Sequence, residues 1–331
     1  MTRKLLHALA ILTIAFFAAP SRWLTAQSVP ADGGRHAQSL LDLRHAPFLP
    51  ATLPPVPRQS TGSQSDAVAL GMAQKKVYKF RSIDYPGAGF SQVWDFDDGT
   101  VVGSMESPGV SQGFYFRGIS YHMLQFSFAP ITNLYGINAS GQMVGSYTDK
   151  GDEVHGFLYD GTNFSAVDPP GSTRTEAFDI NDAGHIVGDY WDAEGVQHGF
   201  LYNGRVFTNV DFPGAIATLA CGINTSGEIV GVYYDSAEAQ GFLLKKKAYS
   251  SIDFPGASGT LVYGINDAGA TAGEYEDAGD VAHGFTHSGG VFNRVDVPGA
   301  AITSLRRIKN DGSVVGAVID SLGEPHGVIG H

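Results

Sequence analysis

The sequence predicts an all-β protein built from repeated units. One unit of about 43 residues recurs six times between Tyr78 and His331. The glycine of a His-Gly-Phe phrase marks the register of units one to six, because its copies follow one another at intervals of 42 or 43 residues: Gly113, Gly156, Gly199, Gly241, Gly284 and Gly327. A fixed period of this length is typical of solenoids, propellers and arrays. Glycine-rich turn signals within each unit favour strands over helices.

Each unit contains signals for four short strands. Around unit three the strands are expected at residues 163–168, 175–180, 185–190 and 197–202, separated by turns rich in Asn, Asp and Gly. Four strands of about five residues fill one repeat, which is the size of a β-propeller blade. A glycine also recurs in the third strand, for example Gly188, and we expect it to make room for an aromatic side chain from the next blade.

The two ends of the repeat region predict a closed ring. The last unit ends with the strand at residues 326–331 and lacks the strand that follows it in the other units. Residues 78–84 form a first strand with no predecessor to pair with. The N-terminal strand is therefore predicted to complete the last blade, which would remove exposed sheet edges. The expected architecture is a closed six-bladed β-propeller rather than an open array, which would need atypical polar caps.

Three phrases recur in a fixed order over residues 78–331. They are Asp-x-Pro-Gly-Ala, Gly-Ile-Asn-x-x-Gly-x-Ile-Val-Gly and His-Gly-Phe. In these phrases the chain resembles the HAF-type extracellular repeat family. The resemblance implies a bacterial exported repeat protein of unassigned biochemical activity. Units one and two depart most from the shared pattern.

The N-terminal segment has the features of a secretory signal. Arg3 and Lys4 precede an apolar run at residues 5–19, and Ala26 ends a small-residue cleavage site, so residues 1–26 are predicted to be a signal peptide. The run is shorter than the ~20 residues of a membrane span, although an uncleaved N-terminal anchor is the alternative. The proline-rich residues 27–77 are predicted to be a flexible linker. We expect a secreted or periplasmic protein with no membrane span after cleavage.

Charge and cysteine content limit the classes of partner. The formal net charge of −12 becomes −15 once Arg3, Lys4 and Arg22 leave with the signal peptide. An acidic chain is not expected to bind nucleic acid. Cations, basic partners and neutral polymers such as glycans are favoured. The single cysteine, Cys221, excludes an intrachain disulfide and is expected to be a small buried residue.

Histidine and asparagine recur at fixed positions of the repeat. Glutamine replaces the histidine in units one and four, at Gln112 and Gln240, and glutamine is a poor substitute for a metal-binding imidazole. We therefore interpret both series as structural, with hydrogen-bonding roles. The residues are Asn138, Asn181, Asn224, Asn266, His155, His198, His283 and His326.

Two series of aspartates are candidate ligands. One series precedes the Pro-Gly turns, and the other opens the turn before the His-Gly-Phe strand. The plain interpretation of both is turn capping, in which the carboxylate bonds nearby backbone N–H groups. The alternative is a calcium site, should the carboxylates line the channel of the ring. No other cofactor is predicted. The second series, as the calcium candidates, comprises Asp149, Asp192, Asp235, Asp277 and Asp320.

A function added to a repeat scaffold is expected where the units differ. We predict that the loop after Asp-x-Pro-Gly carries binding residues in units three and six, because Arg and Trp are frequent binding anchors. The loop candidates are Arg174, Glu176, Arg306 and Arg307, and outside these loops Trp191 and Trp94 are further candidates. They favour an exported binding module without catalysis, which recognises an extracellular glycan or an envelope protein. The alternatives are a polysaccharide hydrolase or lyase that uses carboxylates such as Glu176, and a structural envelope or matrix protein.

Overall fold

The computed structural model describes residues 76–107, 110–127, 129–235 and 238–331. In this part of the chain there are 24 β-strands and no helix, and hence no helix that could cross a membrane. The predicted signal peptide and nearly all of the predicted linker lie outside the described residues. The structure therefore concerns the repeat region.

The strands follow the predicted repeat. Strand β1 (Phe80–Ser82) comes first. Unit one contains β2 (Phe90–Asp97), β3 (Thr100–Ser107), β4 (Val110–Arg117) and β5 (Ser120–Leu124). Unit two contains β6 (Ile131–Ile137), β7 (Met143–Thr148), β8 (Val154–Tyr159) and β9 (Phe164–Ala166). Unit three contains β10 (Arg174–Ile180), β11 (Ile186–Trp191), β12 (Gln197–Tyr202) and β13 (Phe207–Asn209).

The same order continues to the end of the chain. Unit four contains β14 (Ala217–Ile223), β15 (Ile229–Tyr234), β16 (Ala239–Lys245) and β17 (Ala248–Ile252). Unit five contains β18 (Gly259–Ile265), β19 (Thr271–Glu276), β20 (Ala282–Ser288) and β21 (Val291–Arg294). Unit six contains β22 (Ala300–Ile308), β23 (Val314–Asp320) and β24 (Pro325–Gly330). The four strands predicted between residues 163 and 202 are confirmed as β9 to β12, within one or two residues at each end.

Four of the sheets are separate antiparallel blades. They are formed by β10–β13, by β14–β17, by β18–β21, and by β22–β24 together with β1. Strands β2–β9 instead form one eight-stranded sheet, because β4 and β6 meet at a single parallel pair, Ser111 and Ile131. Separate blades are therefore clear for units three to six, while units one and two share one sheet, so the predicted count of six is met only in part.

The first strands of the units form a closed ring. Strands β2, β6, β10, β14, β18 and β22 contact one another in that order, and β22 contacts β2. The predicted pairing at the ends of the chain is present, since β1 lies antiparallel to β24 with Phe80 opposite Gly330 and Ser82 opposite Val328. The described chain is an all-β propeller, as the sequence predicted.

In units one to five a phenylalanine lies opposite the recurring glycine, which is found in the second strand of each unit. Unit six has Val328 opposite Gly316 instead. Phe200 lies directly opposite Gly188, and a Cβ atom on Gly188 would come within 2.8 Å of the Phe200 ring. The equivalent fully buried side chains are Phe114, Phe157, Phe242 and Phe285. The prediction of an aromatic from the next blade is wrong, because the ring comes from the neighbouring strand of the same blade. Residues directly opposite each other on paired strands are close neighbours, so this phenylalanine ring lies closer to the glycine than an aromatic ring of the next blade does.

Candidate functional site in the central channel

A β-bulge in the first strand of every unit places one residue towards the axis. The register between the first and second strands skips that residue, which is the extra residue of the bulge. Five of these residues, from five different units, belong to one buried cluster, and this contact is possible only near the axis of the ring. The bulge residues are Trp94, Tyr135, Phe178, Cys221, Tyr263 and Arg306.

The bulge residues fill the channel with aromatic rings and one cation. The centroid of the Trp94 ring lies 5.1 Å from that of Tyr135, in an edge-to-face arrangement. The Arg306 guanidinium lies 4.8 Å from the Trp94 centroid and 4.2 Å from the Tyr263 centroid. Arg306 was predicted to lie in a loop, but it is a buried residue of β22. Its two aromatic neighbours stabilise the charge through cation–π contacts.

Arg307 crosses the channel below this layer. Its Nη2 donates a hydrogen bond of 2.8 Å to Phe178 O in unit three, and its Nη1 donates one of 2.8 Å to Tyr263 O in unit five. Its guanidinium also lies 3.6 Å from Asp179 Oδ1 and 3.8 Å from Asp95 Oδ2. The prediction of a loop binding residue is wrong for Arg307 as well, because it joins units three, five and six from within the core.

Residues in the same repeat position as Arg307 leave room for it. In units two, four and five this position is glycine, and a Cβ atom on Gly264 would lie 2.7 Å from Arg306 O and 2.8 Å from Arg307 Cα. Units one and three place Asp95 and Asp179 there instead. Burial raises the pKa of Asp179, and the Arg307 charge counteracts that effect. Arg307, Asp95 and Asp179 therefore form a buried ion cluster, which closes the channel at the level of this repeat position.

Lys309 adds a second cation to the cluster. Its Nζ lies 3.2 Å from Asp95 Oδ1 and 3.2 Å from Asp97 Oδ2. Burial lowers the pKa of Lys309, but the carboxylates of Asp95 and Asp97 outweigh it, so the net shift is upward. The two cations and the neighbouring carboxylates leave little net charge at the axis. This pairing offsets the desolvation cost of burying the charged groups.

The repeated asparagines join adjacent units. Asn138 Nδ2 donates to Asn181 O at 3.2 Å, and Asn181 Nδ2 donates to Asn224 O at 3.0 Å. Asn224 and Asn266 continue the pattern, and the latter donates to Lys309 O at 3.0 Å. These contacts give the asparagines a structural role between blades.

Each repeated histidine lies between carboxylates of its own blade. His198 Nδ1 is 3.0 Å from Asp211 Oδ2 and its Nε2 is 3.3 Å from Asp192 Oδ2. His283 sits in the same way between Asp296 and Asp277, at 3.2 Å from each. His155 and His326 each contact an aspartate of the Pro-Gly series, Asp168 and Asp84 respectively. Sequence reasoning missed that the two aspartate series meet at the histidine, although their constant spacings of 6 and 13 residues were a signal.

The aspartates considered for calcium act within their own turns. Asp320 Oδ1 accepts hydrogen bonds from the backbone N–H groups of Leu322 and Glu324 at 2.8 and 2.9 Å, which lowers the pKa of its carboxyl. Asp149, Asp192 and Asp277 accept turn N–H groups in the same way, and Asp235 accepts from Gln240 at 3.0 Å. The structure does not bring the five carboxylates together.

One group of possible metal ligands occurs within the described ranges. It comprises Asp149, Glu153 and His155, whose ligand atoms lie within 4.8 Å of one another. Asp149 and Glu153 belong to the turn between β7 and β8 of unit two, and His155 lies in β8; only Glu153 is exposed. The group contains one of the five predicted aspartates, so it does not represent a ring of calcium ligands.

Unit three carries a buried carboxylate pair above the aromatic layer. Glu176 accepts a hydrogen bond of 3.0 Å from the Tyr135 hydroxyl and one of 2.9 Å from Arg174 Nη2. Asp189 lies opposite Glu176 on β11 and accepts from Gln197 Nε2. Burial, with the Glu176 charge second, raises the pKa of Asp189 to about 7.

The predicted binding residues of unit three lie in strands. Arg174 and Glu176 belong to β10, so the prediction that they lie in a loop is wrong. Trp191 ends β11 opposite Arg174 and is half-buried. Residues that face each other across strands contact within a sheet, so Arg174 and Trp191 are neighbours at the end of the β10–β11 ladder, which we call the mouth of the channel, and Glu176 lies two residues further along β10.

Unit six opens a pocket beside the channel. Ser304 and Ala317 face each other there, at the positions that hold Glu176 and Asp189 in unit three. Unit four has Leu219 opposite Val232, and these larger side chains fill the corresponding space. The pocket measures about 20 Å³, and its lining comprises Gln92, Glu274, Ala282, Ile302, Ser304, Arg306, Ala317, Val318, Ile319 and Pro325.

Two polar atoms of the pocket residues have no hydrogen-bond partner in the described part of the chain. They are Nη1 of Arg306 and Oγ of Ser304. Arg306 is only 2% exposed. A buried N–H without a partner costs about 1–3 kcal/mol, so these atoms mark a position where a polar group from outside the chain would be stabilised.

No family model matches the chain, and a search of curated proteins finds no match. The HAF-type resemblance therefore stays a prediction. Among solved structures, a mutant of AofleA from Arthrobotrys oligospora is 11% identical with a TM-score of 0.49, and the match covers 76% of this chain and 86% of that one. The fucose-recognising, six-bladed lectin of Aleuria aurantia is 12% identical with a TM-score of 0.47, over 72% and 92% of the two chains.

Another similar structure is an enzyme. Virginiamycin B lyase from Staphylococcus aureus is 7% identical with a TM-score of 0.47, and the match covers 76% of this chain and 99% of that one. The Aleuria aurantia lectin and the lyase have different functions at comparable similarity. We therefore derive no residue role from any of these structures.

Proposed function

We propose that this chain is an exported binding module without catalytic activity, and that its ligand is an extracellular glycan. The observation that carries the proposal is the pocket of unit six, where the repeat is broken by two small residues and a buried arginine. A pocket with a few polar groups on an otherwise apolar lining is the usual form of a ligand site. Export is inferred from residues 1–26, and the HAF-type kinship from the three repeat phrases.

We further infer that the ring has six blades. The eight-stranded sheet consists of two sets of four consecutive strands, joined through one residue pair, Ser111 and Ile131. Its two inner strands, β2 and β6, occupy successive places in the ring of inner strands. Each half of the sheet therefore fills the place of one blade.

A glycan suits the mouth of the channel. Trp191 is half-buried beside Arg174, and Gln197 lies opposite Trp191 on β12. A partly exposed indole offers an apolar face to a sugar ring, while the neighbouring arginine and glutamine donate hydrogen bonds to hydroxyl groups. The acidic net charge of the chain repels nucleic acid, so a polynucleotide is not the expected ligand.

Hydrolysis or lysis of a polysaccharide is the second candidate. It is favoured by the raised pKa of Asp189, about 7, next to a second carboxylate, since a glycosidase uses two carboxyl groups, one of them a general acid with a raised pKa. Burial opposes it, because Glu176 and Asp189 are 4% and 1% exposed and neither lines the pocket. Their role is better explained by the contacts with Arg174, Tyr135 and Gln197.

The proposal is tested by glycan-array binding of the full chain, with calcium and with a chelator. We expect selective binding that is lost in Ser304→Leu, which places in unit six the residue that units four and five have at this position. Ser165→Leu, on the exposed outer strand β9, is the matched control and is expected to bind normally. Binding that disappears in chelator would implicate the turn aspartates.

Two outcomes would overturn the proposal. The absence of binding to any glycan would contradict the glycan proposal and leave an envelope protein as the expected partner. Release of shortened polysaccharide by the wild-type chain, but not by Glu176→Gln or Asp189→Asn, would establish the catalytic alternative.

A further inference from the structure

We propose that the pocket of unit six recognises a carboxylate, and that the ligand is a hydroxy-carboxylate of the kind found in acidic sugars. In this arrangement Arg306 and Ser304 bind the carboxylate, and Glu274 accepts a hydrogen bond from a hydroxyl group of the ligand. The inference rests on the proposed glycan-binding function and names the class of sugar that the pocket selects.

Arg306 differs from the other buried or half-buried cations near the axis. Arg174 is 2.9 Å from Glu176, Arg307 is 3.6 Å from Asp179, and Lys309 is 3.2 Å from Asp95. Arg306 forms no ion pair within 4.0 Å in the described chain. Burying a charge without a counter-charge costs free energy. An anion that reaches Arg306 would therefore bind with a more favourable free energy than an anion that meets a cation already paired with a carboxylate.

The aromatic neighbours of Arg306 cover the faces of its guanidinium and form no hydrogen bonds with its N–H groups. The rings of Trp94 and Tyr263 lie against the guanidinium at 4.8 and 4.2 Å, and such stacking occupies faces rather than N–H groups. Nη1 has no hydrogen-bond partner among the described residues, and neither has the Ser304 hydroxyl that lines the same pocket. Two unpaired donors beside one cation match the two oxygens of a carboxylate.

Glu274 supplies the complementary acceptor. Its Oε1 accepts a hydrogen bond of 2.9 Å from the Tyr263 hydroxyl, and a carboxylate can accept about four hydrogen bonds in all. A ligand hydroxyl can therefore donate to Glu274 while the ligand carboxylate faces Arg306. A ligand with a carboxylate alone would leave the Glu274 charge without this contact.

The size and lining of the pocket define what enters it. A volume of about 20 Å³ holds little more than a water-sized group, so the acidic group enters while a sugar ring stays at the mouth. The apolar side chains of Ile302, Ile319 and Pro325 line the remaining wall. They suit the C–H groups that adjoin the carboxylate on a ring.

The net charge of the chain restricts the ligand further. At −12 the protein repels polyanions at long range, and the pocket offers one cation. We therefore expect a monomeric or terminal acidic sugar to bind better than a polymer of acidic sugars, with the difference largest at low ionic strength, where repulsion is least screened.

The test is isothermal titration calorimetry of the full chain with D-glucuronate, D-glucose and propionate. We expect glucuronate to bind at least about tenfold more tightly than glucose, since hydrogen bonds to charged groups contribute about 1.5–3 kcal/mol. Propionate, which has the carboxylate and no hydroxyl, is expected to lie between them. Arg306→Gln is expected to reduce glucuronate binding to the level of glucose binding.

Controls separate recognition from folding. Arg205→Gln changes an exposed arginine and is expected to leave the binding unchanged. Should Arg306→Gln fail to fold, as judged by its circular dichroism, Ser304→Leu keeps the arginine and fills the pocket, and it is expected to abolish glucuronate binding.

The outcomes distinguish this inference from the proposed function. Equal affinities for glucose and glucuronate, unaffected by Arg306→Gln, would overturn carboxylate recognition and leave the glycan proposal standing. Binding of propionate without either sugar would support a carboxylate site and contradict glycan binding. Failure of all three compounds to bind would overturn the inference, while the glycan array decides the function separately.

Discussion

At the scale of single residues, the position beside the bulge determines the role of a side chain. Asp95, Asp179 and Arg307 occupy one repeat position that is glycine in the remaining units. Near the axis this position is shared by all six units, so a charged side chain there meets residues from units far apart in sequence. Phe178 and Arg307, which are 129 residues apart, illustrate the effect.

Removal of the Arg307 charge is expected to destabilise the whole ring. Arg307→Met leaves Asp179 and Asp95 buried with a weaker counter-charge, and the loss of one partner from a buried ion pair costs about 3–5 kcal/mol. Urea unfolding measures the difference, and Arg205→Met, at an exposed position, is the control. In the double variant Arg307→Met, Asp179→Asn we expect the free energy of unfolding to recover in part. A double variant no more stable than the single one would contradict the ion-cluster interpretation.

Asp189 is expected to make the stability depend on pH. Its pKa is raised from 3.8 to about 7 in the folded chain. Between these values the unfolded state has lost the proton that the folded state keeps, so the contribution of Asp189 to the free energy of unfolding falls as pH rises and is constant above about 7.

The comparison of Asp189→Asn with the wild type isolates this contribution. The variant cannot ionise, so it is expected to be more stable than the wild type at pH 7, with a difference that vanishes near pH 4. Thermal unfolding across this range measures it. A difference that does not change with pH would show that Asp189 stays ionised in the folded protein.

At the scale of the elements, the order and approximate bounds of the strands followed from local signals. Turn residues such as Asn181 and Gly184 ended one strand and began the next, and in units one to five a hairpin joined the third strand of the unit to its outer strand. The fusion of units one and two could not be predicted, because the link is one backbone pair between Ser111 and Ile131. Such a bridge depends on how close two strands pass, and not on side-chain pattern.

Strand β1 is expected to hold the ring closed. Arg81 lies opposite Ile329, between pairs whose backbone groups are bonded at Lys79 with His331 and at Ile83 with Gly327. Arg81→Pro removes a backbone donor from this ladder, so we expect a loss of about 1–3 kcal/mol and aggregation through the exposed edge of β24.

Urea unfolding and size-exclusion chromatography of Arg81→Pro measure these effects. Arg81→Ala keeps the backbone donor and is the matched control, expected to remain monodisperse with nearly unchanged stability. A proline variant that behaves like the alanine variant would show that the pairing of β1 with β24 contributes little.

At the scale of the whole molecule, closure is expected to make unfolding cooperative. Each inner strand contacts the inner strands on both sides, and the Asn138-to-Lys309 contacts repeat this linkage at the backbone. An open repeat array can instead lose its units one after another. We expect tryptophan fluorescence and far-UV circular dichroism to report the same urea midpoint. Midpoints that differ would indicate that the units unfold separately.

The sequence by itself determined the repeat period, the four-strand unit and the pairing of the two ends, because these depend on turn residues and spacing. Tertiary structure alone decided which residues meet at the axis. Arg306 and Arg307 were recognised as departures from the repeat, yet they were expected in a loop. Their burial follows from a bulge in β22. The bulge turns the adjacent side chains towards residues of other units. The distances between these side chains depend on how the ring closes, and the spacing of residues along the sequence does not give them.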